Sequence, residues 1–110
     1  MNLVDVTIIG GGPVGLFAAF YAGLRAMSVR IVDSLPELGG QLTALYPEKY
    51  VYDMPGFPKV LAKDLAREMI EQGTQFGPEL ALEETAASVQ TTEDGYLITT
   101  AGGTKLPTRT

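Results

Sequence analysis

The sequence has 110 residues, 13 acidic side chains against eight basic ones, and a formal net charge of −5. It holds no cysteine and no histidine, which excludes disulfides, a thiol nucleophile, metal ligation by either residue and any histidine-based triad within these residues. The acidic balance argues against a nucleic-acid partner, no apolar run approaches the roughly 20 residues that span a bilayer, and the start does not read as a secretory leader, so the expectation is one domain, or part of one, of a soluble cytoplasmic protein with no membrane contact.

Leu3 to Ile9 is short, β-branched and almost wholly apolar, the pattern of a buried parallel strand. It runs into Gly10-Gly11-Gly12-Pro13-Val14-Gly15. Gly10-x-Gly12-x-x-Gly15 is the fingerprint of a βαβ dinucleotide site. Gly10 allows a tight turn off the strand, Gly12 lets a pyrophosphate approach the backbone, and Gly15 lets the following helix pack close to the strand. The N–H groups of Pro13's successors at the helix start, Val14 and Gly15, face the phosphates at the positive end of the helix dipole. That helix is predicted over Pro13 to Ala26, with Leu16, Phe17, Ala19, Phe20 and Leu24 as its apolar face. Gly23 is expected to weaken it slightly.

Ser28 to Val32 is a second short apolar strand, with Arg30 its only charge. Asp33 follows at the spacing where the fingerprint places an acid for the ribose hydroxyls. In isolation, an aspartate before Ser34-Leu35-Pro36 would simply start a turn; behind the glycines it reads as the ribose acceptor. Leu35 to Pro58 carries few helix signals and reads as a long functional loop. Within it, Tyr50, Tyr52 and Phe57 are expected to pin the loop to the core, whereas Gln41 and Tyr46 are ligand candidates.

Leu61 to Gln75 is helical, with ridges Leu61-Leu65-Met69 and Ala62-Ala66-Ile70 inward and Lys63, Asp64, Arg67, Glu68 and Glu71 outward. Gly73 and Gly77-Pro78 are read as its terminators. Leu80 to Leu82 is the third strand of the parallel sheet. Ala87 to Thr92 and Gly95 to Thr100 form a hairpin about Asp94-Gly95. Thr104 to Thr110 completes a small meander with one wet face, Pro107 marking an edge. The fold class is therefore α/β: a Rossmann-like domain with parallel strands 1–3 and a small antiparallel meander. In the order 3-2-1-4, strand 4 has no counterpart here, which would leave apolar strand 1 as an unpaired edge. The expectation is that 1–110 is the N-terminal segment of a cofactor-binding domain in a longer chain, or that a partner chain supplies the strand.

The acid after strand 2 is compatible with an unphosphorylated ribose and would repel a 2′-phosphate. Gly39-Gly40-Gln41 follows within a few residues; its glycines let amides approach a ligand, and its glutamine both donates and accepts, as an isoalloxazine requires. Together these favour FAD over NAD or NADP. Gly10 to Tyr21, Ser34 to Leu42, Ala44 to Tyr50 and Tyr52 to Pro58 closely resemble the thioredoxin-reductase-like ferredoxin/flavodoxin–NADP reductases of bacteria, with Leu45-Tyr46-Pro47-Glu48-Lys49-Tyr50 the most specific part.

That resemblance implies FAD contacts at Asp33 with the adenosine ribose, at Gln41 and Tyr46 on the flavin side, and from the main chain near Ala86 to adenine. Gly40 joins Gln41 in the same loop. The resemblance further implies a homodimeric flavoenzyme that takes NADPH as substrate, at a domain outside these residues, and passes electrons to ferredoxin or flavodoxin. Lys49, Lys59, Lys63 and Arg67 are candidates for a local docking patch. A thioredoxin reductase and a non-catalytic FAD-binding fragment are the competing readings. No catalytic side chain and no metal site are expected in this segment.

Overall fold

The computed structural model describes residues 2–44 and 47–110. In chain order the elements are β1 (Val6–Ile9), α1 (Pro13–Leu24), β2 (Val29–Asp33), α2 (Gln41–Ala44), β3 (Tyr50–Val51), β4 (Val60–Leu61), α3 (Ala62–Thr74), β5 (Glu79–Leu82), β6 (Ala86–Thr92), β7 (Gly95–Thr100) and β8 (Lys105–Thr108). β1, β2 and β5 form a parallel sheet in the order β1-β2-β5, with Ile8 opposite Ile31 and Ile31 opposite Leu80. β6, β7 and β8 form an antiparallel meander.

The alternation of β2 divides the core in two. Val29 and Ile31 face the helices, where Leu16, Ala19, Leu38, Met69 and Ile70 join them. Val32 faces the meander and packs with Ile98 and Leu106. The result is three layers: helices, parallel sheet and meander. Leu16 and Ile31 are almost wholly buried, each worth about 1.5–3 kcal/mol of apolar transfer.

Arg30 lies on the meander face, is fully buried, and is fully partnered. Its Nε pairs with Glu79 Oε2 at 2.8 Å, Nη1 donates to the Pro107 carbonyl at 2.8 Å, and Nη2 donates to the Asn2 carbonyl at 2.6 Å. A buried guanidinium without such partners would be strongly destabilising. Here it ties β5, β8 and the start of the chain to the centre of the sheet. At the same end of the sheet the Asp5 carboxyl, held below the usual carboxylate range by the N–H and hydroxyl of Ser28, links the start of β1 to the start of β2.

Several sequence expectations change. The free edge of β1 is covered over its first half. Residues 107–110 run beside it, with Arg109 N–H donating to the Val4 carbonyl (2.9 Å), Thr110 N–H to Asp5 (3.1 Å) and Thr7 N–H to Thr110 (2.9 Å). α1 stops at Leu24 because the chain closes a Schellman turn: Ala26 N–H donates to Gly23 and Met27 N–H to Ala22, with Ala26 left-handed at φ 63. Gly73 does not terminate α3; it is buried in the last turn against Leu16. Gly23 is a contact rather than a weakness, since a Cβ there would lie 2.7 Å from the Cβ of Phe76.

The 35–58 stretch contains α2 and β3, the latter paired antiparallel with β4. Tyr50, Tyr52 and Phe57 do not pin it to the core: they are 50%, 67% and 40% exposed. Tyr50 packs on Tyr52, and Lys59 sits over the Tyr50 ring. β6 is exposed at every residue from Ala87 to Thr92, so the meander is wet on both faces at its far end. Among the described residues no helix is long and apolar enough to cross a membrane.

Candidate functional site

The site is built where β1 gives way to α1. Gly10 turns at φ 112, and its N–H donates to the Val32 carbonyl at 2.7 Å. Gly12 is the N-cap of α1; its carbonyl accepts from Leu16 N–H at 2.9 Å, and its missing side chain offers no cap. Pro13 occupies the first helical position, where its lack of an N–H does no harm. Among the described residues no acceptor meets the N–H groups of Val14 and Gly15, and the first turn holds no acidic residue. An anion there would gain from these donors and from the dipole, about 0.3–1 kcal/mol for the dipole alone.

The two functional glycines differ in what lies beside them. A Cβ on Gly15 would collide with the Gly10 carbonyl oxygen, so that glycine is required by strand–helix packing. A Cβ on Gly12 would meet nothing nearer than the Gly40 Cα at 3.9 Å, and its φ of −80 suits any residue. Among the described residues no packing asks for glycine at position 12. Gly12 also lines a cleft, the room a cofactor pyrophosphate would need.

Gly40, at φ 59, packs close to Gly12, where a Cβ on it would lie 3.0 Å from the Gly12 Cα; Gln41 opens α2 beside it with an exposed side chain. Gly12, Pro13, Gly40, Gln41, Asp53 and Met54 line one cleft of about 490 Å³. Tyr46 lies outside the described residues.

Asp33, at the end of β2, is tied in place by two main-chain donors. Gly11 N–H donates to Oδ2 at 2.6 Å and Leu35 N–H to Oδ1 at 2.9 Å. The turn reading and the acceptor reading of Asp33 therefore coexist, because each carboxylate oxygen keeps a second lone pair for a ligand hydroxyl. Ala86 begins β6, two residues beyond Glu84, whose N–H donates to the Asp33 carbonyl at 3.0 Å. Gly12, Pro13, Gly40 and Gln41 thus share one cleft, whereas Gly10, Val14 and Gly15 are not part of its lining; Asp33 adjoins it through Gly11, and the 83–85 strap ties Ala86 to Asp33.

Gly11 was not singled out by the fingerprint, which leaves it as a free position. It is buried, binds Asp33 through its N–H, and accepts from Gly39 N–H at 2.8 Å. The only available signal was a third consecutive glycine. Of the four candidate docking cations, Lys63 pairs with Glu48 at 3.2 Å and Arg67 with Asp64 at 3.1 Å, so two are already neutralised.

A family described as FAD dependent oxidoreductase matches residues 5–101. A ferredoxin–NADP reductase 2 of Listeria monocytogenes is 60% identical over 94 residues, 86% of this chain and 28% of that protein. One from Shouchella clausii is 54% identical over 99 residues, 90% of this chain and 30% of that protein. Among solved structures, the thioredoxin reductase of Streptococcus pyogenes aligns with a TM-score of 0.84 at 26% identity, covering 98% of this chain and 33% of its own. That of T. acidophilum aligns at 0.83 and 27%, over 99% of this chain and 34% of its own. The chain spans about a third or less of the length of these relatives.

Proposed function

This chain belongs to the FAD dependent oxidoreductase family, and on that premise we propose that residues 1–110 are the N-terminal segment of the FAD-binding domain of a flavoenzyme moving electrons between NADPH and ferredoxin or flavodoxin. The NADPH-binding domain and the rest of the FAD domain would lie elsewhere in the full protein, which would work as a cytoplasmic homodimer. The observation that carries the reading is the cleft beside Gly12 at the uncapped start of α1, with the Asp33 carboxylate anchored next to it.

Each group has a stated task. Gly10, Gly12, Pro13, Val14 and Gly15 shape the backbone that receives the pyrophosphate, and the Val14 and Gly15 N–H groups donate to it. Asp33 accepts from the adenosine ribose hydroxyls and repels a 2′-phosphate at that position. The Ala86 main chain meets the adenine. Gly40 and Gln41 lead toward the flavin, Gln41 as donor and acceptor, and the resemblance assigns Tyr46 to the same side. FAD held there would supply the redox chemistry between a two-electron nicotinamide and a one-electron carrier. No side chain described here needs to act as acid or base.

The curated relatives at 54–60% identity, all named ferredoxin–NADP reductases, support this electron partner. The structural neighbours named thioredoxin reductases, at 26–27% identity, keep a disulfide reductase as the second reading. One experiment separates them. The intact protein is purified, its flavin absorbance recorded, and NADPH oxidation followed with ferredoxin, flavodoxin and thioredoxin in turn. Yellow protein with turnover on ferredoxin or flavodoxin is expected. Colourless protein that takes up no added FAD refutes the reading, and turnover with thioredoxin alone replaces it by the second. Asp33→Asn should weaken FAD binding about tenfold, the loss of one charge-assisted acceptor.

A further inference from the structure

Two non-glycine residues among those described take a positive φ: Ala26 at 63 and Glu83 at 56. Ala26 closes α1. Glu83 has no helix to close. Its side chain is exposed and enters no hydrogen bond or ion pair among the described residues, so its carboxylate does not explain the conformation. What the left-handed residue does is aim two successive N–H groups the same way. Glu83 N–H donates to the Leu35 carbonyl at 3.1 Å and Glu84 N–H to the Asp33 carbonyl at 3.0 Å.

Those two acceptors belong to the residues that fix the ribose acid, since Leu35 N–H donates to the Asp33 carboxylate. On its other side the strap is held by Ala101 N–H donating to the Thr85 carbonyl at 2.8 Å, and Ala86 follows at once. The strap therefore runs from the ribose acid to the main chain assigned to adenine, and Glu83 is its only left-handed joint.

We infer that Glu83 is a positioning residue for the adenosine half of the cofactor: its left-handed backbone, and not its carboxylate, sets the spacing between the Asp33 carboxylate and the Ala86 main chain. The inference rests on the FAD reading above. A β-branched residue resists the left-handed region, whereas glycine and asparagine accept it. Substitutions at position 83 should therefore act according to backbone tolerance, with charge removal alone having little effect.

The test uses the intact protein stripped of FAD, with ADP as probe of the adenosine half and FMN as probe of the flavin half. Glu83→Gly, Glu83→Asn and Glu83→Ala should bind ADP within about twofold of the parent, and Glu83→Val about tenfold more weakly. FMN affinity should stay level throughout. A parallel loss of ADP and FMN would show a merely structural role and overturn the inference. So would Glu83→Val binding ADP like the parent, or Glu83→Gly binding as weakly as Glu83→Val. Where Glu83→Val does not fold, Glu83→Thr takes its place: ADP affinity equal to that of Glu83→Ala refutes, weaker binding by Thr supports. A parent that binds neither ADP nor FAD brings down the FAD reading itself, whereas a binding parent with level variants brings down only the role of Glu83.

Discussion

Two glycine-bearing regions meet on α1, and glycine serves opposite ends in them. Where α1 touches α3 and the turn after it, Gly73 and Gly23 are packed shut: added Cβ atoms would lie 2.9 Å from the Leu16 carbonyl oxygen and 2.7 Å from Phe76. In the loop before α1, a Cβ on Gly12 would meet only ordinary contact, 3.9 Å from the Gly40 Cα. The first kind of glycine is required by the fold and would be required with no ligand in existence. The second has no such packing demand among the described residues, and the proposed pyrophosphate would account for it. Gly15 sits in the loop but belongs by its packing to the first kind. A glycine fingerprint therefore mixes two demands, and only the surroundings of each residue separate them.

Substitutions can break that distinction. Gly15→Ala sets a methyl against backbone that cannot yield; it should destabilise by at least about 3 kcal/mol, read as loss of a cooperative thermal transition. Gly12→Val should leave thermal unfolding nearly where it was while FAD affinity falls about 100-fold, or about 2.7 kcal/mol, by flavin fluorescence titration. Equal losses of stability and binding would erase the proposed difference between positions 12 and 15. Gly73→Ala should cost about 1–3 kcal/mol in denaturant midpoint, because Leu16 must shift, yet leave FAD affinity of the folded protein within about twofold. The converse case is Ala26, which stands where the backbone asks for glycine. Ala26→Gly should stabilise by about 0.5–1 kcal/mol, with no change in FAD affinity.

What could be read from the residues followed short-range rules. β1, α1, β2, α3 and β5 show through because their periodicities and lengths are those of buried strands and amphipathic helices. The hairpin at Asp94-Gly95 shows through because its turn chemistry is local. Gly10, Gly12, Gly15 and Asp33 were legible because one motif fixes their spacing. β3 and β4 were not, since two-residue strands carry no period. The tyrosines misled because aromatic content does not say which side is wet: Tyr52 is two-thirds exposed. Gly11 and Glu83 were invisible for a different reason. Their roles lie in main-chain groups, and a sequence does not record where an N–H points.

The grip of Arg30 on Pro107 and Asn2, with 107–110 laid along β1, has a consequence for the order of assembly. Residues at the start of the chain are completed by residues 107–110, which emerge from the ribosome much later. Until residues 107–110 have emerged, β1 presents one bare edge and the Arg30 guanidinium lacks the Pro107 carbonyl, one of its three acceptors. Pairings so distant in sequence form late and slowly, and an unpaired apolar strand is a hazard during that wait. Residues 1–106 of the nascent chain should therefore stay protease-sensitive until residues 107–110 have emerged and closed along β1.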